Sequence, residues 1–222
     1  MPLSYTQLTQ PAAEPVTLAQ AKLQLNVEAE FTDDDTLISG LIVAAREYAE
    51  NFCNRSFYTR NMQLTLDFFP YPTYGGTINP NDRHVMYGRY WHELAIKLPR
   101  PSCTSVTSIT YVDLDGTAKT LDPSQYSIDL TSEPARIVPA PGLYWPYTQT
   151  YLPGSVKVLY TAGSYGDGVT IDTCPQSIKQ AMLLLVSHWY SNRNAAAVSV
   201  PRAIELGVQS LLDPYKFETF KF

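Results

Sequence analysis

Residues 32–52 read TDDDTLISGLIVAAREYAENF, and the spacing of their apolar side chains decides how the fold begins. Leu37, Ile38, Leu41, Ile42, Ala45, Tyr48, Ala49 and Phe52 recur at i, i+3 and i+4 over about five turns, the stripe by which an amphipathic helix seats on a core. Thr32, with Asp35 three residues on, matches a capping box, and the three aspartates stand where the helix dipole favours negative charge. Consecutive helical residues point about 100° apart, so Asp33, Asp34 and Asp35 do not converge on one ion. The run reads as a helix start. Upstream, Thr17-Leu18-Ala19-Gln20 forms a second capping box and opens a helix to about Asn26, with Leu18, Ala21 and Leu25 on one face. Residues 1–15 are rich in Pro and polar residues and read as extended.

The period changes near residue 57. Gln63–Phe68, Leu94–Leu98 and Ser105–Val112 read as strands, Asp115-Gly116 turns a hairpin into Thr117–Leu121, and shorter strands follow at 125–130, 136–139 and 155–161. Eleven of the 16 Tyr and 11 of the 17 Pro lie within 57–162, as suits half-buried strands, edges and turns. Two loops stand out. Residues 70–93 carry Tyr71, Tyr74, Tyr87, Tyr90 and Trp91, and residues 139–153 carry Trp145; a loop as long as the first is uncommon unless it has a function or is mobile. Gly163–Gly168 lacks the Gly-Lys-Ser/Thr ending of a phosphate loop and reads as a flexible connector.

Helical periodicity returns at Pro175, with Ile178, Ala181, Met182, Leu185 and Trp189 in one stripe. Leu183, Leu184 and Val186 make this helix apolar almost all round. Either it is the centre of the fold or a neighbouring subunit covers its second face. A shorter helix over 203–212 precedes the aromatic tail Tyr215, Phe217, Phe220, Phe222, which either packs on its own domain or inserts into a partner. The order of elements predicts an α+β protein: a small helical domain of about four helices, from 1–56 and 163–222, with an inserted antiparallel β domain over 57–162.

The composition of the 222 residues, 45% hydrophobic and 17% charged, is that of a globular chain. No apolar run reaches the roughly 18 residues that a membrane span needs, and the first five residues have neither the basic nor the apolar region of a signal peptide. The net charge of −5 argues against a protein that grips nucleic acid. Residues 1–56 hold eight acids and three bases, whereas 57–162 hold eight of each and 163–222 five of each, so the whole excess lies in the first quarter. Cys53, Cys103 and Cys174 are far apart and odd in number, which indicates neither a disulfide framework nor a zinc site and suits a reducing cytosol. His84, His92 and His188 show no metal-ligand spacing, and His188 beside Trp189 reads as a packing residue. Asp67, Asp113, Asp115, Asp122 and Asp129 fall mostly at turns. No catalytic residue, metal or cofactor is indicated, although a carboxylate pair separated in sequence stays open as a hydrolase reading. A second alternative is a carbohydrate- or host-surface-binding β module acting through Trp91, Trp145 and the tyrosines.

Pro15-Val16-Thr17-Leu18-Ala19-Gln20-Ala21-Lys22, Asp33–Ile38 and Ala44–Glu50 together resemble the opening of head–tail connector (adaptor) proteins of long-tailed bacteriophages. Leu98-Pro99-Arg100-Pro101, Val106–Ile109, Tyr111-Val112-Asp113, Tyr160–Gly163 and Pro175 through Arg193 continue the resemblance, which spans roughly 15–215. It implies a non-enzymatic virion protein, assembled in the host cytoplasm. Such a protein forms a ring of about twelve subunits under the portal, extends the DNA channel without sequence-specific binding, and docks the tail or the next head-completion protein. It involves no membrane. On that analogy the helical part builds the ring, with Leu41, Tyr48, Leu184 and His188 at the subunit interface. Tyr215, Phe217, Phe220 and Phe222 dock on the portal. Tyr71, Tyr74, Tyr87, Tyr90, Trp91 and Trp145 face the tail or another partner.

Overall fold

The computed structural model describes residues 3–71, 94–149, 152–193 and 202–217. They fall into two compact units. One contains Met1–Gln10 and Arg60–Ala162, and the other Pro11–Thr59 and Gly163–Phe222. All the strands among the described residues belong to the first unit and all the α-helices to the second.

In the β unit, β2 (Arg60–Leu66) and β8 (Val156–Ala162) alternate buried and outward residues, as a sheet with one face on a core requires. Their antiparallel register sets Met62 opposite Tyr160, Leu64 opposite Val158 and Leu66 opposite Val156, so the six form one apolar face. Around this pair a five-stranded sheet runs in the order β1-β2-β8-β4-β5, where β1 is Leu3–Gln7, β4 Cys103–Val112 and β5 Ala118–Thr120. A three-stranded sheet has the order β3-β7-β6, from Ile96–Lys97, Arg136–Pro139 and Tyr126–Asp129. Every strand pairing among the described residues is antiparallel. Both sheets contribute to one core that includes Leu64, Val158, Tyr160, Ile96, Leu98 and Ile137. The hairpin between β4 and β5 turns at Gly116 (φ +79°), where Asp113 Oδ1 accepts the amides of Asp115 and Thr117 at 3.0 and 2.9 Å.

The N-terminal strand departs from the expected division of the chain. Residues 1–56 were expected with the helices, yet Leu3–Gln7 pairs with β2 along its whole length, Leu3 opposite Leu66 and Gln7 opposite Met62. Ser4, Tyr5, Thr6 and Gln7 are all exposed, so burial imposes no alternation on this edge strand.

In the helical unit, α1 (Leu18–Leu25) carries the expected box: the Gln20 amide donates to Thr17 Oγ1, and the Thr17 amide to Gln20 Oε1. α2 (Asp35–Cys53) starts differently from the expected Thr32 box. Its N-cap is Asp34, which makes no side-chain cap bond, because its carboxylate accepts from the Tyr190 hydroxyl and, at 2.8 Å, from Arg193. A tertiary contact has displaced a local one. Both helices end on an asparagine in the left-handed region, Asn26 (φ 55°) and Asn54 (φ 52°). Each makes a Schellman turn, with Val27 N donating to Lys22 O and Arg55 N to Glu50 O. α3 (Gln176–Ser191) and α4 (Arg202–Leu212) complete the set of four α-helices among the described residues. Ile38, Ile42, Ala45 and Ala49 of α2 meet Ile178, Ala181, Met182, Leu185 and Val186 of α3 and Val208 and Leu212 of α4 in one core. This core joins the two ends of the chain.

Arg46 is 1% exposed within this unit. Its guanidinium pairs with Glu14 Oε2 through Nε at 2.8 Å and with Glu50 Oε2 through a terminal nitrogen at 2.9 Å. Glu50 Oε1 accepts the Phe57 amide at 2.8 Å. Arg46 and Glu50 together thus fasten the segment before α1 and the segment after α2 to the same helix. Gly163–Gly168, expected as a flexible connector, is a built turn. Tyr165 N donates to Phe57 O, Thr59 N to Gly166 O, and Asp167 Oδ1 accepts the amides of Val169, Thr170 and Ile171. A Cβ on Gly163 would lie 2.4 Å from Thr59 N, and one on Gly168 (φ +77°) would lie 2.6 Å from the Tyr58 ring.

Candidate functional site

The helical unit presents a half-exposed apolar stripe on α2. Leu37, Leu41 and Tyr48 are spaced to share one side of the helix. Leu41 rests partly buried against the core, and Tyr48, 37% exposed, meets Trp189 of α3 edge to face, the centroids 6.3 Å apart. Leu184 and His188 lie one turn apart on α3, both half-buried, and Leu184 packs against the same core. His188 Nδ1 is 3.2 Å from Asn192 Nδ2, which also donates to the His188 carbonyl, so the ring is held at the end of its helix. These contacts orient rings and leave apolar area uncovered. They assemble no reactive group.

Tyr215 and Phe217 were expected to reach a partner, and the structure holds both on their own unit. The Phe217 amide donates to Cys53 O at 2.8 Å, and Arg55 Nε donates to Tyr215 O at 3.0 Å. Tyr215 Oη lies 2.8 Å from Ser177 Oγ at the start of α3. The Arg55 guanidinium stands 6.0 Å from the Phe217 ring centroid, and Lys216 Nζ 5.5 Å from that of Phe52. The last carbonyls of α2 need donor partners and the aromatic side chains need cover, and residues 215–217 supply a donor in the Phe217 amide and pack their rings there. Phe220 and Phe222 lie outside the described residues.

In the β unit the expected contact loops separate into two kinds of aromatic residue. Trp145 is a core residue: it is 4% exposed, stacks on Phe69 at 4.9 Å between centroids, and donates from Nε1 to Leu94 O at 2.8 Å. Its expected place on a contact surface is therefore corrected, because a buried indole whose N–H is satisfied has nothing left to present. Tyr71 is half-buried, donates its hydroxyl to Pro146 O at 2.9 Å and stacks on Tyr147 at 6.0 Å. Burial pushes its phenol up to about 12. Tyr147 is 72% exposed. With Phe68 and Leu152 these two rings line an open cleft of about 510 Å³, with Asp67 also in its wall. Tyr144 and Leu143 are exposed nearby in sequence, and no motif marks them. Tyr74, Tyr87, Tyr90 and Trp91 lie outside the described residues.

Among the described residues no three His, Cys, Asp or Glu side chains come together as a metal site would need, and no helix is long and apolar enough to cross a membrane. Asp113, Asp129 and Asp167 are each tied to neighbouring amides, hydroxyls or cations. Hydrogen bonds from Ser132, Thr131 and Arg136 hold the Asp129 carboxyl far below the usual carboxylate range. These acids are turn builders. The Arg46 cluster and the Asp34–Tyr190–Arg193 contact were not legible in the sequence, since their members are mostly remote from one another along the chain.

Residues 15–74 match the family model described as phage gp6-like head-tail connector protein. No curated protein matches the chain. Among solved structures, a chain of "Neck of empty GTA particle computed with C6 symmetry" superposes with a TM-score of 0.69 at 19% identity, covering 98% of this chain and 97% of that one. A chain of "Virion of native gene transfer agent (GTA) particle" gives 0.69 at 18% identity with the same coverage. A chain of "Neck of native GTA particle computed with C12 symmetry" gives 0.64 at 19%. The chain is thus similar over residues 15–74 to the phage gp6-like head-tail connector proteins, and over nearly its whole length it shares the fold of a gene transfer agent neck chain.

Proposed function

We propose that this protein is a head–tail connector (adaptor) subunit, a non-enzymatic structural component of a phage-like particle. The observation that carries the reading is the coincidence of two matches: the connector family over 15–74, and a neck-chain fold over 98% of the sequence. In this reading copies of the chain form a ring of about twelve under the portal, extend the DNA channel, and dock the tail or the next head-completion protein. The particle is assembled in the host cytoplasm, and the chain resides at its head–tail interface. The half-exposed stripe with Leu41 and Tyr48 on α2, and Leu184 and His188 on α3, lies against the neighbouring subunit. An apolar strip already seated on a rigid helix pair loses little conformational entropy on docking. The net charge of −5 suits a channel wall along which DNA slides, since each added cation would hold a phosphate.

The aromatic cleft beside Tyr71 and Tyr147 is the surface offered to the tail-side partner, and the C-terminal segment, through Phe220 and Phe222, is the one offered to the portal. The carbohydrate-binding alternative gains no support, because Trp145 is interior. Electron microscopy of particles produced without this protein tests the reading. DNA-filled heads accumulating apart from free tails is the expected result, and normal yields of tailed, infectious or transducing particles would overturn it.

A further inference from the structure

The Schellman turn that ends α2 does more than stop a helix. With Asn54 at φ 52° and Arg55 N bonded back to Glu50 O, the chain turns so that the Arg55 side chain lies along the C-terminal segment. Arg55 then touches that segment twice, by its Nε on the Tyr215 carbonyl and by its guanidinium at the Phe217 ring. Between these contacts Lys216 reaches back toward Phe52, and just beyond them the Phe217 amide closes on Cys53 O. Upstream, Cys53 Sγ lies 3.7 Å from Leu212 O and Ser177 meets the Tyr215 hydroxyl. Residues 212–217 are therefore gripped along their length by the end of α2 and the start of α3. The Arg55 side chain meets both Tyr215 and Phe217, although it lies 160 residues from Tyr215 in sequence.

We propose that Arg55 is the positioning residue of the C-terminal docking segment. It fixes Tyr215 and Phe217 as the root, so that the portal contact assigned above to Phe220 and Phe222 starts from a set point at the end of α2. This inference rests on the docking role given to that segment. It divides the aromatic tail into an intramolecular half and an intermolecular half. A root held at one place confines where the rest of the segment can search, which raises its effective concentration at a partner site without any new contact.

The test uses the full-length chain and portal-containing heads that lack it. Four variants are compared with wild type: Arg55→Ala, Arg55→Lys, Ser177→Ala and a truncation of 218–222. For each, amide exchange at Phe217 and binding to the heads are measured. Arg55→Ala is expected to speed Phe217 exchange about tenfold, the factor corresponding to the net loss of one hydrogen bond, and to weaken head binding by a similar factor. Arg55→Lys, which keeps a donor and a cation over the ring, is expected to restore most of both. Truncation is expected to abolish binding while Phe217 keeps the protection of its bond to Cys53 O, once its new terminal position is allowed for. If truncation abolishes binding and Arg55→Ala leaves it intact, the positioning role is refuted and the docking role stands. If the truncated chain binds as wild type does, the docking role fails and the positioning role with it. Unchanged Phe217 exchange in Arg55→Ala would refute the clamp itself. Should Arg55→Ala not fold, Ser177→Ala loosens the same root from the other side, and faster Phe217 exchange with weaker binding is again the expected result; either one unchanged would overturn the proposal.

Discussion

Replacing Arg46 by Met tests how the helical unit is held together. The substitution keeps an unbranched side chain of comparable length in a site where the arginine is 1% exposed, so it isolates charge from volume. It leaves Glu50, whose side chain is 5% exposed, without the guanidinium 2.9 Å away, and Glu14, 27% exposed, without its partner at 2.8 Å. Stranding a buried charge costs about 3–5 kcal/mol, and the more exposed Glu14 adds less because water screens it. Glu50→Gln retains an oxygen for the Phe57 amide and is expected to cost about 1–3 kcal/mol. The double variant Arg46→Met/Glu50→Gln removes both charges and is expected to lose about 1–3 kcal/mol less than the sum of the single losses. Urea unfolding followed by the helical circular dichroism band measures all three, since that band reports the unit containing the helices. A loss below about 1 kcal/mol for Arg46→Met, or strict additivity in the double variant, would show that the cluster is no coupled fastening.

Three further outcomes follow from the geometry. Gly168→Ala is expected to destabilise the helical unit by about 2 kcal/mol or more, because it adds left-handed strain to a 2.6 Å approach to Tyr58; Gly142→Ala, also at positive φ but with open space around it, should cost only about 1 kcal/mol in thermal or urea unfolding. Trp145→Ala should cost about 3–5 kcal/mol and Tyr147→Ala about 0.5 or less, so equal losses in denaturant titrations would contradict the division into core and surface aromatics. Burial pushes the Cys53 and Cys174 thiols up to about 12 and Cys103 to about 11. At mildly alkaline pH all three should therefore react with a thiol reagent far more slowly in the folded chain than after unfolding. Their contribution to stability is complete below the ordinary thiol pKa of about 8.5 and is lost as pH rises through the folded values. Fast reaction of one thiol in the native protein would contradict this.

What the sequence disclosed and what it hid divide along physical lines. α2 and α3 were legible because Ile38, Ile42, Ala45, Ala49 and Ile178, Ala181, Met182, Leu185 are set by the helical period, and β2 and β8 because their period is two. β1 was not, since Ser4 to Gln7 are all exposed on an edge and carry no pattern that burial imposes. Asp34 was read as part of a helix start, yet residues from the end of α3 claim its carboxylate. Nothing in the sequence marks Arg46 as buried, because its burial depends on Glu14, 32 residues away. For the site, the tail's aromatic character was visible. That Tyr215 and Phe217 would be taken up by Arg55, Cys53 and Ser177 was not, for these contacts span the chain.

A ring-forming subunit at a head–tail interface, the role proposed for this chain, has to be visible in the particle itself. The most direct measurement is electron cryomicroscopy of the neck of the particle that carries it. The expected result is density for this fold repeated about twelve times around the channel, with α2 and α3 against the neighbouring copy and the C-terminal segment directed to the portal. Neck density that this fold does not fit, or the protein found as single copies elsewhere on the particle, would contradict it.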